Sequence, residues 1–374
     1  MSGLGIVLPG SLRAAVREFL AEQLSAGSFE PRCDSWLSGF SPQFSRALAA
    51  RGWVAMTWPR EYGGHERSEL ERLTVNEELL AAGAPVAAHW FADRQVGPGL
   101  LRHGTPGQRA RFLPAIARGE CFFAIGMSEP DTGSDLASVR TTATRADAGW
   151  RVTGTKLWTS HAHRSHYLLA LVRTSHPAGA ARHAGLSQLI IDLNAPGVHV
   201  RPVPFLDGEH HFNEVVLDDV PVSEDALLGR EGEGWAQVTG ELAHERSGPE
   251  RFLSTFPLLA ELARQQSHRG QPELGALLAE LATLRQLSRQ VAERLQAGEA
   301  PTAEAALVKD LGTRFENRVI DVTRRVAGIE PDPLSAEPLA RLLADAVLHA
   351  PAFTLRGGTS EIMRGIVARA VLPR

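Results

Sequence analysis

Cysteine is nearly absent from this 374-residue chain, which has only Cys33 and Cys121. Two thiols cannot build a disulfide framework, so stability must come from a packed core, and a reducing cytoplasm is the expected setting. Long apolar runs are missing as well. No window reaches the ~18 apolar residues of a membrane span, and the opening Met1-Ser-Gly-Leu-Gly-Ile-Val-Leu-Pro9 has no basic stretch before its brief apolar run, so a secretory leader is not expected. Excess charge of one sign is also lacking. A net charge of −4 gives no electrostatic footprint for nucleic acid or an anionic membrane surface. There is no internal repeat, and the Ala/Arg/Glu richness of the C-terminal half is a helix-former bias rather than low complexity.

What is present is ordinary globular material, 43% hydrophobic and 22% charged, in a length that suits two or three domains. From Ser11 to about Gly119 the pattern is helical: Leu12, Val16, Phe19 and Leu20 recur at three- and four-residue spacing, and Glu69 to Ala82 repeats it through Leu70, Leu73, Glu77 and Leu80. The middle changes character. Gly149 to Trp158, Tyr167 to Arg173, Gln188 to Asp192, Val198 to Val203 and Glu214 to Leu217 are short β-rich runs split by turn residues, with Asp218-Asp-Val-Pro-Val222 closing the set. From Trp235 the helical period returns. Leu258, Leu259 and Leu262, then Leu277 to Leu287, predict two long helices; Ala305 to Val326 and Leu339 to Leu348 predict two more. The reading is an α+β protein with a helical domain over 1–120, a small β-domain over 121–225 and a C-terminal four-helix bundle over 226–374.

Four segments carry chemistry. The first is Ala124-Ile-Gly-Met-Ser-Glu-Pro-Asp-Thr-Gly-Ser-Asp-Leu-Ala-Ser138, which by residue type alone suits a capped turn as well as a ligand loop. The second is Lys156-Leu-Trp-Thr-Ser160, whose Trp158 by residue type alone suits a core better. Gly229-Arg-Glu-Gly-Glu-Gly-Trp235 lacks the G-x-G-x-x-G spacing of a dinucleotide fingerprint. The fourth is Arg356-Gly-Gly-Thr-Ser-Glu-Ile-Met-Arg364. His161, His163 and His166 have no accompanying Cys or carboxylate set, so no metal is expected.

Together, in this order, the four segments resemble those of the acyl-CoA dehydrogenases, flavoenzymes that take a proton from Cα and a hydride from Cβ of an acyl thioester. The resemblance implies that fold and FAD as cofactor. It implies that Ile125, Met127 and Ser128 line the flavin, that Gly133 lets the chain approach it, and that Ser134 lies near the ribityl-phosphate or the CoA. It also implies Trp158 against the isoalloxazine, Thr159 and Ser160 near N5, and Thr359 and Glu361 on the cofactor. A hydroxyl donor at N5 suits a nitrogen that gains electron density.

Two departures stand out. Many members carry the catalytic glutamate in a Glu-Gly-Thr motif near the C-terminus; here that segment is Gly357-Gly358-Thr359, and glycine cannot take a proton. The isovaleryl-CoA and long-chain types place the base on the first long helix of the C-terminal domain, in a segment ending Glu-Arg. This chain has Glu241-Leu-Ala-His-Glu245-Arg246 there, so the resemblance implies Glu245 as base, with Glu241 one turn earlier as competitor. Arg246, Gly357 and Gly358 are then expected at the substrate, the glycines leaving room by the thioester. Read alone, without the resemblance, Glu245 suits a solvated helix residue paired with an arginine better than a base.

The second departure concerns the distal half of the cofactor site, which family tetramers complete with an arginine and a glycine-rich stretch lent by a neighbour. Ala263 to Leu274 and Arg324 to Asp332 lack both patterns, although Arg269 is a partial substitute. The pyrophosphate needs donors and positive charge. A related, complementary subunit is therefore expected, as in bacterial heterotetramers of steroid and other bulky acyl-CoA breakdown, with an electron-transfer flavoprotein as acceptor. A non-catalytic scaffold subunit and a flavin-dependent oxidase or monooxygenase are the competing readings.

Overall fold

The computed structural model describes residues 11–176, 181–246, 248–266 and 271–372, and for 241–245 it describes the backbone alone. The chain forms two compact units: residues up to Ser41 with 67–87 and 242 onward, and 42–66 with 88–241.

The second unit is built on one mixed sheet. Its strands are β1 (Phe123–Gly126), β2 (Thr142–Ala146), β3 (Gly149–Ser160), β4 (Tyr167–Arg173), β5 (Leu186–Asp192), β6 (Val198–Pro202), β7 (Phe212–Ser223) and β8 (Leu227–Leu228). They run in the order β6-β7-β3-β2-β4-β5-β8, with β1 parallel to β4. The apolar run Leu168 to Val172 follows from burial on both faces. Leu168, Ala170 and Val172 pack with Trp150, Val152, Ile191 and Leu217. Leu169 points the other way, with Ile190, onto Phe112, Leu113 and Ile116 of the helix Pro106–Ala117. That helix is pinned at its start by a Thr105/Gln108 capping box, and Gln108 Nε2 donates to Asp225 O (2.6 Å) and Leu227 O (2.9 Å) at the start of β8.

Several sequence boundaries move. The expected strands at Glu214 to Leu217 and the closing Asp218 to Val222 are one twelve-residue strand, β7, because Pro221 lies opposite Arg151 without breaking the pairing. Strands β1, β2 and β8 had no expectation; each is too short, at five residues or fewer, to show a period.

The first unit is helical: Leu12–Ser25, Glu69–Ala81, Phe256–Gln265, Pro272–Gln296, Thr302–Ala327, Pro338–Phe353 and Ser360–Val371 are its longer helices. The helix expected around Leu258 is ten residues rather than long. The N-terminal helices join this unit through charge. Glu77 receives Arg13 (2.7 Å) and Arg285 (2.9 Å), while Glu78 receives Arg13 and Arg17. These carboxylates are buried, so their arginine partners offset a desolvation cost that a surface pair would not carry.

Only two of the 39 basic residues are lysines, and both Lys156 and Lys309 are fully buried. An amine-reactive ester should therefore leave both unmodified in the folded protein and modify both after denaturation, as read by peptide mass mapping. Labelling of either in the native state would show that its unit opens.

Candidate active site

In the sheet unit, the first two motifs are brought side by side. Leu157 N donates to Ser128 O (2.9 Å), and Lys156 Nζ donates to Met127 O (3.3 Å) and Glu129 Oε1 (2.8 Å). Ile125, Met127 and Ser128 are half-buried, while Gly133 and Ser134 are exposed. Gly133 has no left-handed backbone, and a Cβ there would meet nothing within 4 Å, so the protein's own packing gives no reason for glycine.

A bulge between Lys156 and Thr159 in the β3–β7 pairing turns the intervening residues. Trp158 takes φ 61° and is 53% exposed, edge-on to Phe212 at 5.8 Å. An exposed indole on a left-handed backbone is not a core residue. Next to it, Thr159 is fully buried, its carbonyl accepts from Asn213 Nδ2 (3.0 Å), and its Oγ1 has no hydrogen-bond partner among the described residues. A buried hydroxyl without a partner costs about 1–3 kcal/mol. Ser160 is likewise buried. An exposed flat ring beside an unsatisfied hydroxyl fits a planar heterocycle with an acceptor or donor nitrogen at its edge, the requirement of a flavin.

Lys156 and Glu129 respond unequally to burial. Desolvation pulls the Lys156 ammonium down to about 8, against the pull of Glu129. Burial pushes Glu129 upward, but Lys156 and hydrogen bonds from Thr141 and Arg140 hold it below the usual carboxylate range. The asymmetry has a structural cause: the carboxylate accepts four hydrogen bonds, whereas the ammonium makes two.

His166 Nδ1 accepts from Phe122 N (3.0 Å) and His163 Nδ1 bonds Asn213 Oδ1 (3.0 Å). Among the described residues no group of His, Cys, Asp and Glu is arranged to hold a metal.

In the helical unit, the turn before the last helix is the focus. Thr359 caps the helix Ser360–Val371 through Oγ1, and the exposed Glu361 carboxylate in its first turn is held low by backbone and Thr359 hydrogen bonds. Gly357 and Gly358 have φ 67° and 95°, both in the region that favours glycine. The room expected at these glycines is not there. A Cβ on Gly357 would lie 2.9 Å from Arg251 Nη2, and one on Gly358 would lie 2.8 Å from Met363 Cε and 3.3 Å from Arg246 Nη2. Arg246 is itself buried and donates from Nε to Gly357 O (3.0 Å). The helix Gly234–Arg246 thus has its end tied to the glycine turn. Glu245 and Glu241 lie on that helix with side chains outside the described residues, and Arg269 lies outside the described residues altogether.

Sequence reasoning passed over the charges behind this turn. Arg356 pairs with Asp34, donates to Ser254 Oγ (2.8 Å), lies 3.7 Å from Glu316 and stacks on Trp36 and Phe353. His349 adds a second contact to Asp34 at 3.1 Å. Burial pushes Asp34 up, but Arg356 and His349 bring it down to about 2. Burial raises Glu316 to about 7, Asp34 adding to the effect against Arg356.

Sequence profiles for the acyl-CoA dehydrogenase N-terminal, middle and C-terminal domains match residues 10–120, 124–220 and 232–372. The acyl-CoA dehydrogenase IpdE1 of Mycobacterium tuberculosis is 34% identical, over 96% of each chain. The chain belongs to the acyl-CoA dehydrogenase family. Acyl-CoA dehydrogenase FadE34 of the same organism is also 34% identical over 87% of this chain, although this chain spans only 45% of FadE34. A steroid acyl-CoA dehydrogenase, Tcur3481–Tcur3483, superposes with a TM-score of 0.84 at 27% identity, over 99% of this chain and 100% of its own. The ChsE4–ChsE5 complex from Mycobacterium tuberculosis does so at 0.80 and 30%, over 99% of each chain. As an acyl-CoA dehydrogenase, this protein is a flavin-dependent oxidoreductase acting on an acyl-CoA thioester.

Gly357→Ala should destabilise the acyl-CoA dehydrogenase by about 1–2 kcal/mol in denaturant titration, from the left-handed backbone alone, with more if Arg251 cannot shift. A variant as stable as wild type would show that the turn relaxes without cost.

Proposed function

We propose that this chain is the base-carrying subunit of an FAD-dependent dehydrogenase that converts a bulky acyl-CoA to its trans-2-enoyl-CoA, with Glu245 taking the Cα proton. The observation that carries the reading is the Arg246–Gly357 hydrogen bond, together with the Arg251 guanidinium against Gly357. The motif that elsewhere supplies the base has a cation at its back and no side chain, and the helix end bearing Glu245 is bound to that same turn. Glu245 is therefore the carboxylate best placed by sequence to replace it.

FAD, when bound, supplies a two-electron acceptor for the Cβ hydride. By the resemblance, Ile125, Met127, Ser128, Gly133, Ser134, Trp158, Thr159, Ser160, Thr359 and Glu361 would hold it. Thr159 Oγ1, having no hydrogen-bond partner among the described residues, would be available to bond the ring. Glu245 must accept a proton acidified by the thioester carbonyl, and burial against an apolar acyl group would raise its pKa toward neutrality. Electrons then leave to an electron-transfer flavoprotein.

A steroid-derived or otherwise bulky acyl group is supported by the likeness to a protein described as a steroid acyl-CoA dehydrogenase. A second, related subunit is supported by two neighbours described as pairs of proteins, and by the missing arginine and glycine-rich patterns over 263–274 and 324–332. Arg324 is already engaged with Glu330.

Glu245→Gln should lower kcat by about 10²–10⁴-fold with flavin retained, the scale of a general base; unchanged turnover of the complex would identify this chain as a scaffold. The chain made alone should carry little flavin, and its complex with a related subunit fewer flavins than chains, by absorbance. Stoichiometric flavin in an active assembly of this chain alone would overturn the two-subunit reading.

A further inference from the structure

Of the chain's two lysines, Lys156 sits where it can govern chemistry without touching substrate. Its ammonium is fully buried and its carboxylate partner, Glu129, nearly so. Glu129 belongs to the Met127–Thr132 loop; Lys156 belongs to β3, two residues before the outward-turned Trp158 and three before Thr159. One ammonium thus holds both segments that carry the proposed flavin contacts. It reaches Met127 O and Glu129 Oε1, while Leu157 N takes Ser128 O. The carboxylate is in turn anchored by Thr141 N (2.9 Å), Thr141 Oγ1 (2.6 Å) and Arg140 N (2.6 Å), and the loop is closed on itself by Glu129 N to Thr132 O (2.8 Å) and Thr132 N to Glu129 O (3.0 Å).

We infer that Lys156 and Glu129 are positioning residues that set the spacing and orientation of the Met127–Ser128 main chain relative to Trp158 and Thr159, and through it the seat of the flavin ring. The carbonyls of Met127 and Ser128 are consumed on the β3 side. That leaves the backbone N–H groups and the Ser128 hydroxyl for the opposite side. The bulge that exposes Trp158 begins at Lys156, so the same residue fixes the loop and the start of the turn-out. A buried pair is seldom the most stable filling for a core, and an apolar replacement often matches it. Its value here lies in geometry: an ammonium donates in several directions at once, which no apolar side chain does.

The inference rests on the proposed flavin site, and the experiment separates the two. The double variant Glu129→Gln, Lys156→Met removes both charges at nearly constant volume, leaves an amide oxygen for the two Thr141 donors at the expense of the Arg140 N contact, and avoids stranding a lone buried charge. It would be compared with wild type as the complete flavin-loaded assembly, with Lys156→Met alone alongside. Wild type without flavin in any assembly would refute the flavin site itself. With a flavinated wild type, the double variant should keep near-UV circular dichroism in the protein region and its thermal midpoint, yet show an altered flavin absorption and circular dichroism band and a shifted flavin redox potential. Turnover should fall by roughly 100-fold, the scale of a misplacement of about an ångström, with KM for acyl-CoA changed far less. A folded double variant with wild-type flavin spectrum, potential and kcat would overturn the inference.

Discussion

A charge taken out of water must find opposite charge and donors nearby, and both units of this protein are organised around that constraint. In the sheet unit Lys156 and Glu129 meet it for each other, and the solution joins the loop after β1 to the end of β3. In the helical unit it is met by a larger set. Asp34, Arg356 and Glu316, with Ser254 and the ring of Trp36, fasten the N-terminal segment to the helices Thr302–Ala327 and Pro338–Phe353. Arg356 directly precedes Gly357, so the glycine turn hangs from this network. Remove the arginine and two buried carboxylates face each other without a cation between them.

The same logic bears on the glycine turn at 357. A glutamate at position 357 would need a side chain where the Arg251 guanidinium now packs, on a backbone that disfavours any Cβ. The turn has been rebuilt as a braced main-chain element, with Arg246 bonded to its carbonyl, rather than emptied.

Much of the architecture was legible in the residues. The Leu-rich period of 277–287 and the mixed apolar period of 305–326 defined helices because each must bury one face, and β4 stood out because both of its faces are covered. Strands β1, β2 and β8 were invisible since four, five and two residues show no period. For Trp158, residue type favoured core packing, and only the bulge that turns the ring outward excludes it. Thr159 was nominated by resemblance, but that its hydroxyl is buried and unpartnered depends on what surrounds it in three dimensions. Arg251 gave no local signal, because nothing near it in sequence announces a glycine turn more than a hundred residues later.

The sequence by itself determined the family, the order of helical and β segments, the missing glutamate at 357 and the candidate at 245, since these depend on residue identity and short-range spacing. The tertiary structure alone decided which charges are buried together, that arginine side chains fill the space beside Gly357 and Gly358, and that Lys156 binds the loop after β1 to β3 in the sheet unit. Those outcomes follow from long-range packing, where the cost of desolvation selects partners that no local pattern encodes.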